Sequence, residues 1–579
     1  MKKKFLPIVA TIVMIVTLLG AMPAGASSQP AANGPKPKFS DNVAFDVSPT
    51  LRVMAARRIT PALPPEDQGE VREENGPEAV ESDAYFLDTA VQANAPQAAI
   101  PNTLANFEGL SNQDNFNIFG GRVNPPDPVG DVGPNHYVEM INLVFAVYDK
   151  QGNLLLGPVD TGTLWDGFVV PDCTDPSGDP VVLYDQFADR WLLSQFTTRG
   201  LDDPSLPFYN CVAISQTGDP TGAYYRYAFI TQPDTVDGGY FFPDYPKYGV
   251  WKDSYIMTTR DFGLVNQYGI SVYALEKNKM INGQAKARAV QFFLDSNVVP
   301  LEMIGDGLLP PDVDGKTKPK NDAPAPIVGT QDDGAGYGAT FDALNIWDLR
   351  VQWNSTPTAS LTGPTQLPVA PFDSVFPCAP TSRDCLPQPG ITNPAQFLDI
   401  LSYRQRPSHR LAYRGFGTYD AFVTNQSVEA APGVAGVRWY EIRRTNGVYS
   451  IFQQGTFAPG DGVHRWMGSA AMDWKGNIAL GYSVVNGVNV YPGIRYTGRL
   501  AGDPLGQMTL GEGTIINGSG VQRTTNSRWG DYTSLNVDPV DDCTFWYVNE
   551  YYTLAGQNSS TAGWQTRIGS FKLPGCVAK

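Results

Sequence analysis

The sequence predicts an all-β protein with the β-propeller fold, made of seven four-stranded blades around one axis. A strand-turn-strand unit runs from Asn526 to Tyr552, and polar and apolar residues alternate in its first strand. The turn Asp-x-x-Gly-Asn occurs at 149–153 and again at 473–477. Arg465 and Arg528 stand 63 positions apart at the starts of two similar hairpins. Recurrence at this period favours a propeller over a β-helix, and a β-sandwich is the alternative fold.

The composition agrees with an all-β exported protein. The chain has 58 Gly and 48 Pro, too many for long helices, and its 27 Tyr, 28 Phe and 11 Trp are strand and core formers. Its formal net charge is −16. This charge argues against nucleic acid and against anionic membrane surfaces as partners.

The N-terminal residues divide into two segments ahead of the propeller. Residues 1–26 combine a basic start, an apolar middle and a small-residue end, which predicts a secretory signal peptide. Residues 27–102 are rich in Ala, Pro, Glu and Asn, which predicts a disordered leader or propeptide, with a processing site at Arg57-Arg58, or a plain linker. Residues 103–579 are the predicted propeller. We expect a secreted monomer without a membrane-spanning segment.

Six cysteines are expected to pair in an oxidising compartment. Fifteen pairings are possible, and the sequence cannot choose among them. We favour neighbour pairing, which closes each loop within one local unit. The pairs would be Cys173–Cys211, Cys378–Cys385 and Cys543–Cys576.

Seven candidate hairpins follow one another along the predicted propeller. They begin near Gly130, Gly178, Pro243, Pro326, His409, Arg465 and Arg528. The fourth is the least regular. In many propellers the two chain ends share one blade, so we expect residues 106–117 to complete the sheet that ends at Arg567–Lys572.

Four stretches resemble secreted bacterial propeller proteins of the sialidase-like, BNR-repeat grouping. They are Asp127–Tyr137, His464–Gly468, Ile494–Arg499 and Arg528–Tyr532. The resemblance implies three arginines converging on a substrate carboxylate, a tyrosine nucleophile activated by glutamate, and an aspartate acid/base. The residues of this sequence that could fill these roles are Arg414, Arg465, Arg528, Glu550, Tyr551 and Asp531. Alternatively, the arginines stack on Trp466 or Trp529 as structural groups.

A second set of residues is a candidate for ligand binding. Asp131, Asp179 and Asp244 precede or begin predicted inner strands, as Asp531 does, and could line the channel mouth, bind calcium or tie down turns. The binding set also includes His136, Tyr245 and Trp529, and the aromatic loop 239–248 suits sugar stacking. Asp312 and Asp314 form a further calcium candidate, although a solvated acidic loop is the simpler interpretation.

Two hypotheses of function follow from these observations. The first is a non-catalytic extracellular propeller that binds glycan or protein through its loop-bearing face. The second is a glycoside hydrolase, sialidase-like, or a polysaccharide lyase that acts at the channel mouth. We favour binding, because no complete catalytic set can be written from the sequence. Carboxylates bonded to the backbone would favour the binding scaffold, and two free carboxylates in an open pocket would favour hydrolysis.

Overall fold

The computed structural model describes residues 34–58, 88–96, 98–233, 241–263, 267–334, 337–378, 383–400 and 405–578. The predicted signal peptide lies outside these residues. The described chain is all-β, and its strands form seven sheets. None of the helices in these ranges is both long and apolar enough to cross a membrane.

The chain begins with short elements that precede the seven sheets. They are β1 (Lys38–Asp41), β2 (Ala44–Val47), α1 (Leu51–Ala55), β3 (Val91–Gln92), β4 (Ala105–Ser111) and α2 (Asn112–Phe119). Ser111 caps α2 through a capping box with Asp114.

Sheets 1 to 3 are antiparallel meanders. Sheet 1 contains β5 (Val129–Val132), β6 (His136–Ile141), β7 (Val144–Asp149) and β8 (Leu154–Asp160). Sheet 2 contains β9 (Val181–Asp185), β10 (Arg190–Phe196), β11 (Tyr209–Ser215) and β12 (Tyr224–Ile230), with α3 (Arg199–Asp202) between β10 and β11. Sheet 3 contains β13 (Phe242–Val250), β14 (Ser254–Phe262), β15 (Tyr268–Glu276) and β16 (Arg288–Asp295), with α4 (Lys277–Ile281) before β16.

Sheets 4 to 7 continue the same pattern. The short β17 (Pro311–Val313) is followed by sheet 4, with β18 (Ala325–Gln331), β19 (Ala343–Gln352) and β20 (Thr358–Pro368). Sheet 5 contains β21 (Ser408–Gly415), β22 (Asp420–Ala431), β23 (Val434–Thr445) and β24 (Val448–Phe457). Sheet 6 contains β25 (His464–Met472), β26 (Ile478–Val485), β27 (Gly493–Arg499) and β28 (Leu510–Ile516). Sheet 7 contains β29 (Ser534–Val537), β30 (Thr544–Tyr552) and β31 (Trp564–Lys572), with α5 (Leu554–Ser559) between the last two.

The first strands of six sheets contact one another in a closed ring, in which the short β17 takes the place of the first strand of sheet 4. The contacts run from β5 through β9, β13, β17, β21, β25 and β29 back to β5. This ring is the architecture of a β-propeller, and the predicted hairpins all form. The apolar core lies between neighbouring sheets, where side chains from adjacent strands pack together.

The sheets do not all have the four strands that the sequence predicts. Sheets 1, 6 and 7 have four, whereas sheet 4 has three and sheets 2, 3 and 5 have five, five and six. The extra strands come from β17 and from the N-terminal segment. β1 pairs with β16, β2 with β12 and β3 with β24, each at an outer edge.

The prediction of a disordered leader is therefore wrong for the described part of residues 27–102. The prediction used only the amino-acid composition, which indicates how much apolar surface a segment can bury. These strands are also stabilised by hydrogen bonds to otherwise unpaired sheet edges. Arg58 is only 11% exposed and lies 3.0 Å from the Asp160 carboxylate, so it does not form an open processing site. Whether residues 27–102 are a separate unit stays a prediction.

β4 closes the ring, as the sequence predicts. Phe107 pairs with Ile568 and Asn106 with Gly569 in the antiparallel ladder of β4 and β31. The predicted strand ends too late, because the Ser111 capping box starts α2 at Asn112. The three neighbour disulfides are confirmed: Cys173–Cys211, Cys378–Cys385 and Cys543–Cys576.

Arg226 anchors β2 to sheet 2, so we expect Arg226→Ala to destabilise the protein. The buried guanidinium donates to both Asp46 carboxylate oxygens, at 2.7 and 2.6 Å, and to the carbonyl oxygens of Leu164 and Asp166. Asp46 is partly exposed and can be rehydrated, so we expect a loss of about 2–3 kcal/mol in the free energy of unfolding, measured by urea denaturation.

The matched control is Arg52→Ala. Arg52 belongs to the same N-terminal segment as Asp46. Its ion pair with Asp219 is 3.6 Å long and exposed to solvent. This substitution should change the free energy of unfolding by less than about 0.5 kcal/mol. Equal effects of the two variants would contradict a structural role for the N-terminal strands.

Candidate functional site

Charged and aromatic side chains from five sheets meet where the inner strands begin. We call this group the central cluster, and its members are Asp127, Asp179, Asp244, Tyr245, Lys247, Arg406, Arg528, Asp531, Tyr532 and Glu550. Three of them have left-handed backbone: Asp127 (φ 48°), Asp179 (φ 49°) and Tyr245 (φ 54°). This conformation is uncommon for residues other than glycine and is concentrated at functional sites.

Lys247 is a buried cation at the centre of this group. Its Nζ lies 2.9 Å from the centre of the Tyr532 ring and 3.4 Å from that of the Tyr245 ring. Among the described residues, Nζ has no hydrogen-bond partner. Burial lowers the pKa of this ammonium group well below its usual value, and the nearby Asp179 carboxylate opposes that shift. Lys247 is therefore a donor that a bound ligand or water could satisfy.

Asp179 is half-buried at the rim of the cluster. Its Oδ2 accepts a hydrogen bond from the Tyr532 hydroxyl at 3.0 Å. Burial raises the pKa of Asp179 well above its usual value, and the neighbouring Asp244, Asp127 and Asp531 carboxylates raise it further. Burial and the neighbouring carboxylates both favour the protonated form of Asp179 over the ionised form.

Asp531 has the opposite surroundings. Arg528 donates to its Oδ2 at 2.8 Å, and the Arg406 guanidinium lies 3.9 Å from its Oδ1. Arg528 also lies 3.5 Å from the Asp399 carboxylate. Asp531 and Asp179 therefore have different partners, guanidinium groups for Asp531 and a tyrosine hydroxyl for Asp179.

Asp127 and Glu550 are fixed to the backbone. Asp127 accepts from the Asp531 amide at 2.6 Å and from the Asn142 side chain at 2.7 Å, and burial raises its pKa to about 7. Glu550 accepts from the Gly530 amide, and burial raises its pKa well above the usual value. The second Glu550 oxygen has no hydrogen-bond partner in the described part of the chain.

The structure brings together six of the predicted site residues: Asp179, Asp244, Tyr245, Arg528, Asp531 and Glu550. The sequence analysis missed Asp127, Lys247, Arg406 and Tyr532 as site residues. Two of these were visible as neighbours of predicted residues, since Lys247 lies in the aromatic loop and Tyr532 follows Asp531. No sequence motif around Arg406 indicated a site residue.

The three predicted arginines do not converge. Arg465 lies 2.7 Å from Asp461 and 2.8 Å from Glu512, and Arg414 lies 2.7 Å from Asp542. Arg465 belongs to β25, whereas Arg528 precedes β29, so similar sequences occupy different positions relative to their strands. The carboxylate clamp expected of a sialidase is therefore not formed.

Tyr551 also lies away from the cluster. Its hydroxyl donates to Glu108 at 2.8 Å at the outer edge of sheet 7. Because successive residues of a strand point to opposite faces, Glu550 and Tyr551 cannot act as a nucleophile pair.

The remaining predicted binding residues have structural partners. Both oxygens of Asp131 accept from backbone amides, those of Val132 and Tyr184. The Trp529 ring packs against Trp466 at 5.0 Å, and its indole donates to Ser483. His136 starts β6 beside the end of β5, at the end of sheet 1 away from the central cluster. In the aromatic loop, the described side chains Phe241, Phe242, Tyr245 and Tyr248 are buried, so they do not offer sugar-stacking surfaces.

The predicted calcium ligands bind an arginine instead. Arg410 donates to Asp312 at 2.8 Å and to both oxygens of Asp314 at 2.9 and 3.0 Å. The guanidinium occupies three of the four carboxylate oxygens and the Val250 amide the fourth, so their surroundings do not fit a calcium site. Asp332, Asp333 and Asp342 are also close together, but amides of the backbone occupy the buried carboxylates of this group.

Comparison with known proteins gives no family assignment. No protein family and no curated protein matches the sequence. The similar solved structures include an α-L-arabinanase from Penicillium chrysogenum complexed with arabinobiose, with 11% identity, 71% of this chain and 96% of that chain covered, and a TM-score of 0.32.

Two further similar structures are a thermostable family-43 glycoside hydrolase and the Trypanosoma rangeli sialidase. The first has 9% identity, covers 62% of this chain and 98% of that chain, and has a TM-score of 0.28. The second has 7% identity, with 68% of this chain and 54% of that chain covered, and a TM-score of 0.28. These are glycoside hydrolases by name, but superpositions this loose assign no activity to the present chain.

Proposed function

We propose that this protein is a secreted, seven-bladed β-propeller that hydrolyses glycosidic bonds of an extracellular glycan at the central cluster. One observation carries the proposal. Five carboxyl groups belong to the central cluster, and Asp131 is a sixth that the sequence predicted as a site residue. Within the described residues, only Asp179 and Asp531 of these six accept no hydrogen bond from a backbone amide. Burial and neighbouring carboxylates raise the pKa of the first, and the second is ion-paired with arginine.

The two carboxyl groups would take the two roles that glycoside hydrolysis requires, Asp179 as the acid and Asp531 as the nucleophile or base. Asp179 would donate its proton to the glycosidic oxygen as the sugar leaves. Asp531 would attack the anomeric carbon as the glycosidic C–O bond breaks, and water would then cleave the glycosyl ester, giving its proton to the Asp179 carboxylate. Alternatively, Asp531 would accept a proton from a water molecule that attacks the anomeric carbon directly. Arg528 binds and orients the attacking carboxylate, and Lys247 offers a donor to a substrate hydroxyl.

The nature of the substrate rests on location and resemblance. The predicted signal peptide and the three disulfides support export to an oxidising compartment. The resemblance to sialidase-like propellers supports a glycan. We do not propose sialidase activity, because Arg414, Arg465 and Arg528 form three separate ion pairs.

A second candidate function is glycan binding without turnover. It is favoured by the backbone bonds of Asp127 and Glu550 and by the burial of Asp531, which is 7% exposed. In this case the cluster would hold the mouth of the channel rigid, and a glycan would bind above it. Measured turnover distinguishes the two functions.

We expect Asp531→Asn and Asp179→Asn each to lower glycan hydrolysis by about 10²–10⁴-fold while the fold is kept. Purified protein would be incubated with neutral and acidic polysaccharides, and the reducing ends released would be measured. The control is Asp322→Asn, which removes an exposed carboxylate far from the cluster. Retention of polysaccharide by the wild type without product would support the binding function instead. Product that survives both substitutions would contradict the proposed pair.

The hydrolysis rate should fall as the pH rises, because Asp179 must be protonated to act as the acid. Its high pKa is due in part to the Asp244 carboxylate. Asp244→Asn removes this negative charge, lowers the pKa of Asp179 and should move the alkaline limb of the kcat/KM profile to lower pH. An unchanged alkaline limb would show that another group supplies the proton.

A further inference from the structure

The opposite mouth of the channel holds a second cavity. It has a volume of about 410 Å³, within the range typical of small-molecule sites. We call it the Trp474 cavity, and its lining includes Asp314, Lys316, Arg414, Phe416, Trp474 and Asp542. These residues follow the ends of β17, β21, β25 and β29, whereas the central cluster lies where the inner strands begin. Arg406 and Arg414 are eight positions apart in largely extended chain, which separates the two sites by roughly 25 Å.

Arg414 lines this cavity and has one unused hydrogen-bond donor. Its Nε donates to the Met472 carbonyl oxygen at 2.8 Å, and one terminal nitrogen donates to Asp542 at 2.7 Å. The other terminal nitrogen is buried and has no hydrogen-bond partner among the described residues. The guanidinium is thereby fixed by two bonds, and it keeps a third donor for a ligand.

Two aromatic rings border the same space. Trp474 is half-buried, and its indole nitrogen donates to the Val577 carbonyl oxygen at 2.9 Å, which fixes the ring. Phe416 is also half-buried and stacks on Tyr419 with ring centres 5.0 Å apart. Rings that are held in place and only partly covered are suited to stack on the apolar face of a sugar.

The polar lining combines donors and acceptors whose charges cancel. Arg414 and Lys316 are positive, and Asp314 and Asp542 are negative. Sugar hydroxyls both donate and accept, so they match such a mixture, whereas an acidic ligand would gain no net charge attraction here. The formal charge of −16 on the whole chain further disfavours a polyanion.

We propose that the Trp474 cavity binds a neutral saccharide, independently of the central cluster. The sugar ring would stack on Trp474 and Phe416, and a hydroxyl would accept a hydrogen bond from the free Arg414 nitrogen. A neutral polysaccharide held at this mouth would anchor the protein on its surroundings while the other mouth stays open.

The test uses the full chain and titration calorimetry with neutral hexasaccharides of glucose, mannose, xylose and arabinose. A galacturonic acid hexasaccharide is the charged comparison. We expect at least one neutral probe to bind, and Trp474→Ala and Phe416→Ala each to weaken it by about tenfold or more. Arg414→Lys, which keeps the charge but not the planar donor, should weaken binding as well. Circular dichroism and thermal melting check that each variant is folded.

Two controls separate this site from the central cluster. Trp353→Ala removes a half-buried tryptophan at a distant position in the described chain and should leave affinity unchanged. Asp531→Asn should abolish hydrolysis but keep saccharide binding. The proposal is overturned if no neutral hexasaccharide binds at millimolar concentration, if the galacturonic acid probe binds better, or if folded Trp474→Ala and Phe416→Ala proteins bind like the wild type.

Discussion

The antiparallel ladder between β4 and β31 is the interaction on which the rest of the structure depends. It joins residues 105–111 to residues 564–572 and so turns a row of sheets into a ring. A ring gives each of its strands two neighbours and a shared axis. Without this ladder sheet 7 would lose its outer strand, and neither mouth of the channel would have a fixed shape.

Closure also explains why charged groups are buried near the axis. Each sheet contributes side chains to a narrow space in which little water is available. Burial there raises the pKa of the Asp127 and Asp179 carboxyl groups, whereas Asp531 is ion-paired with Arg528. The same ring produces chemically different neighbours: Asp127 is held by backbone amides, whereas Asp179 accepts only the Tyr532 hydroxyl among the described residues.

The hairpins and the disulfides were predictable because they are local. Alternating residues and recurring turns can be recognised within short stretches of sequence, and the paired cysteines are at most 38 positions apart. The N-terminal strands were not predictable, since β1 and β2 obtain their hydrogen bonds from sheet edges about 180 to 250 positions away.

The candidate site was predictable only in part, for a related reason. Asp179, Asp244 and Asp531 could be found because each precedes or begins an inner strand. Their pairing with Arg406 and Lys247 depends on how the ring brings distant sheets together. Arg465 and Arg528 show the limit of motif reasoning: both precede a tryptophan, but only Arg528 lies ahead of its strand and reaches the cluster.

The N-terminal segment has a consequence for how the chain acquires its structure. β1, β2, β3 and β4 are made first, but each pairs with a strand that is made much later. Ala105, for example, donates its amide to the Ser570 hydroxyl across 465 positions. Contacts this remote in sequence slow folding, because long loops must close before they form. A chain that emerges N-terminus first must therefore keep four strand-forming segments unpaired until their partners have followed, and during that time these segments are its exposed sites for aggregation.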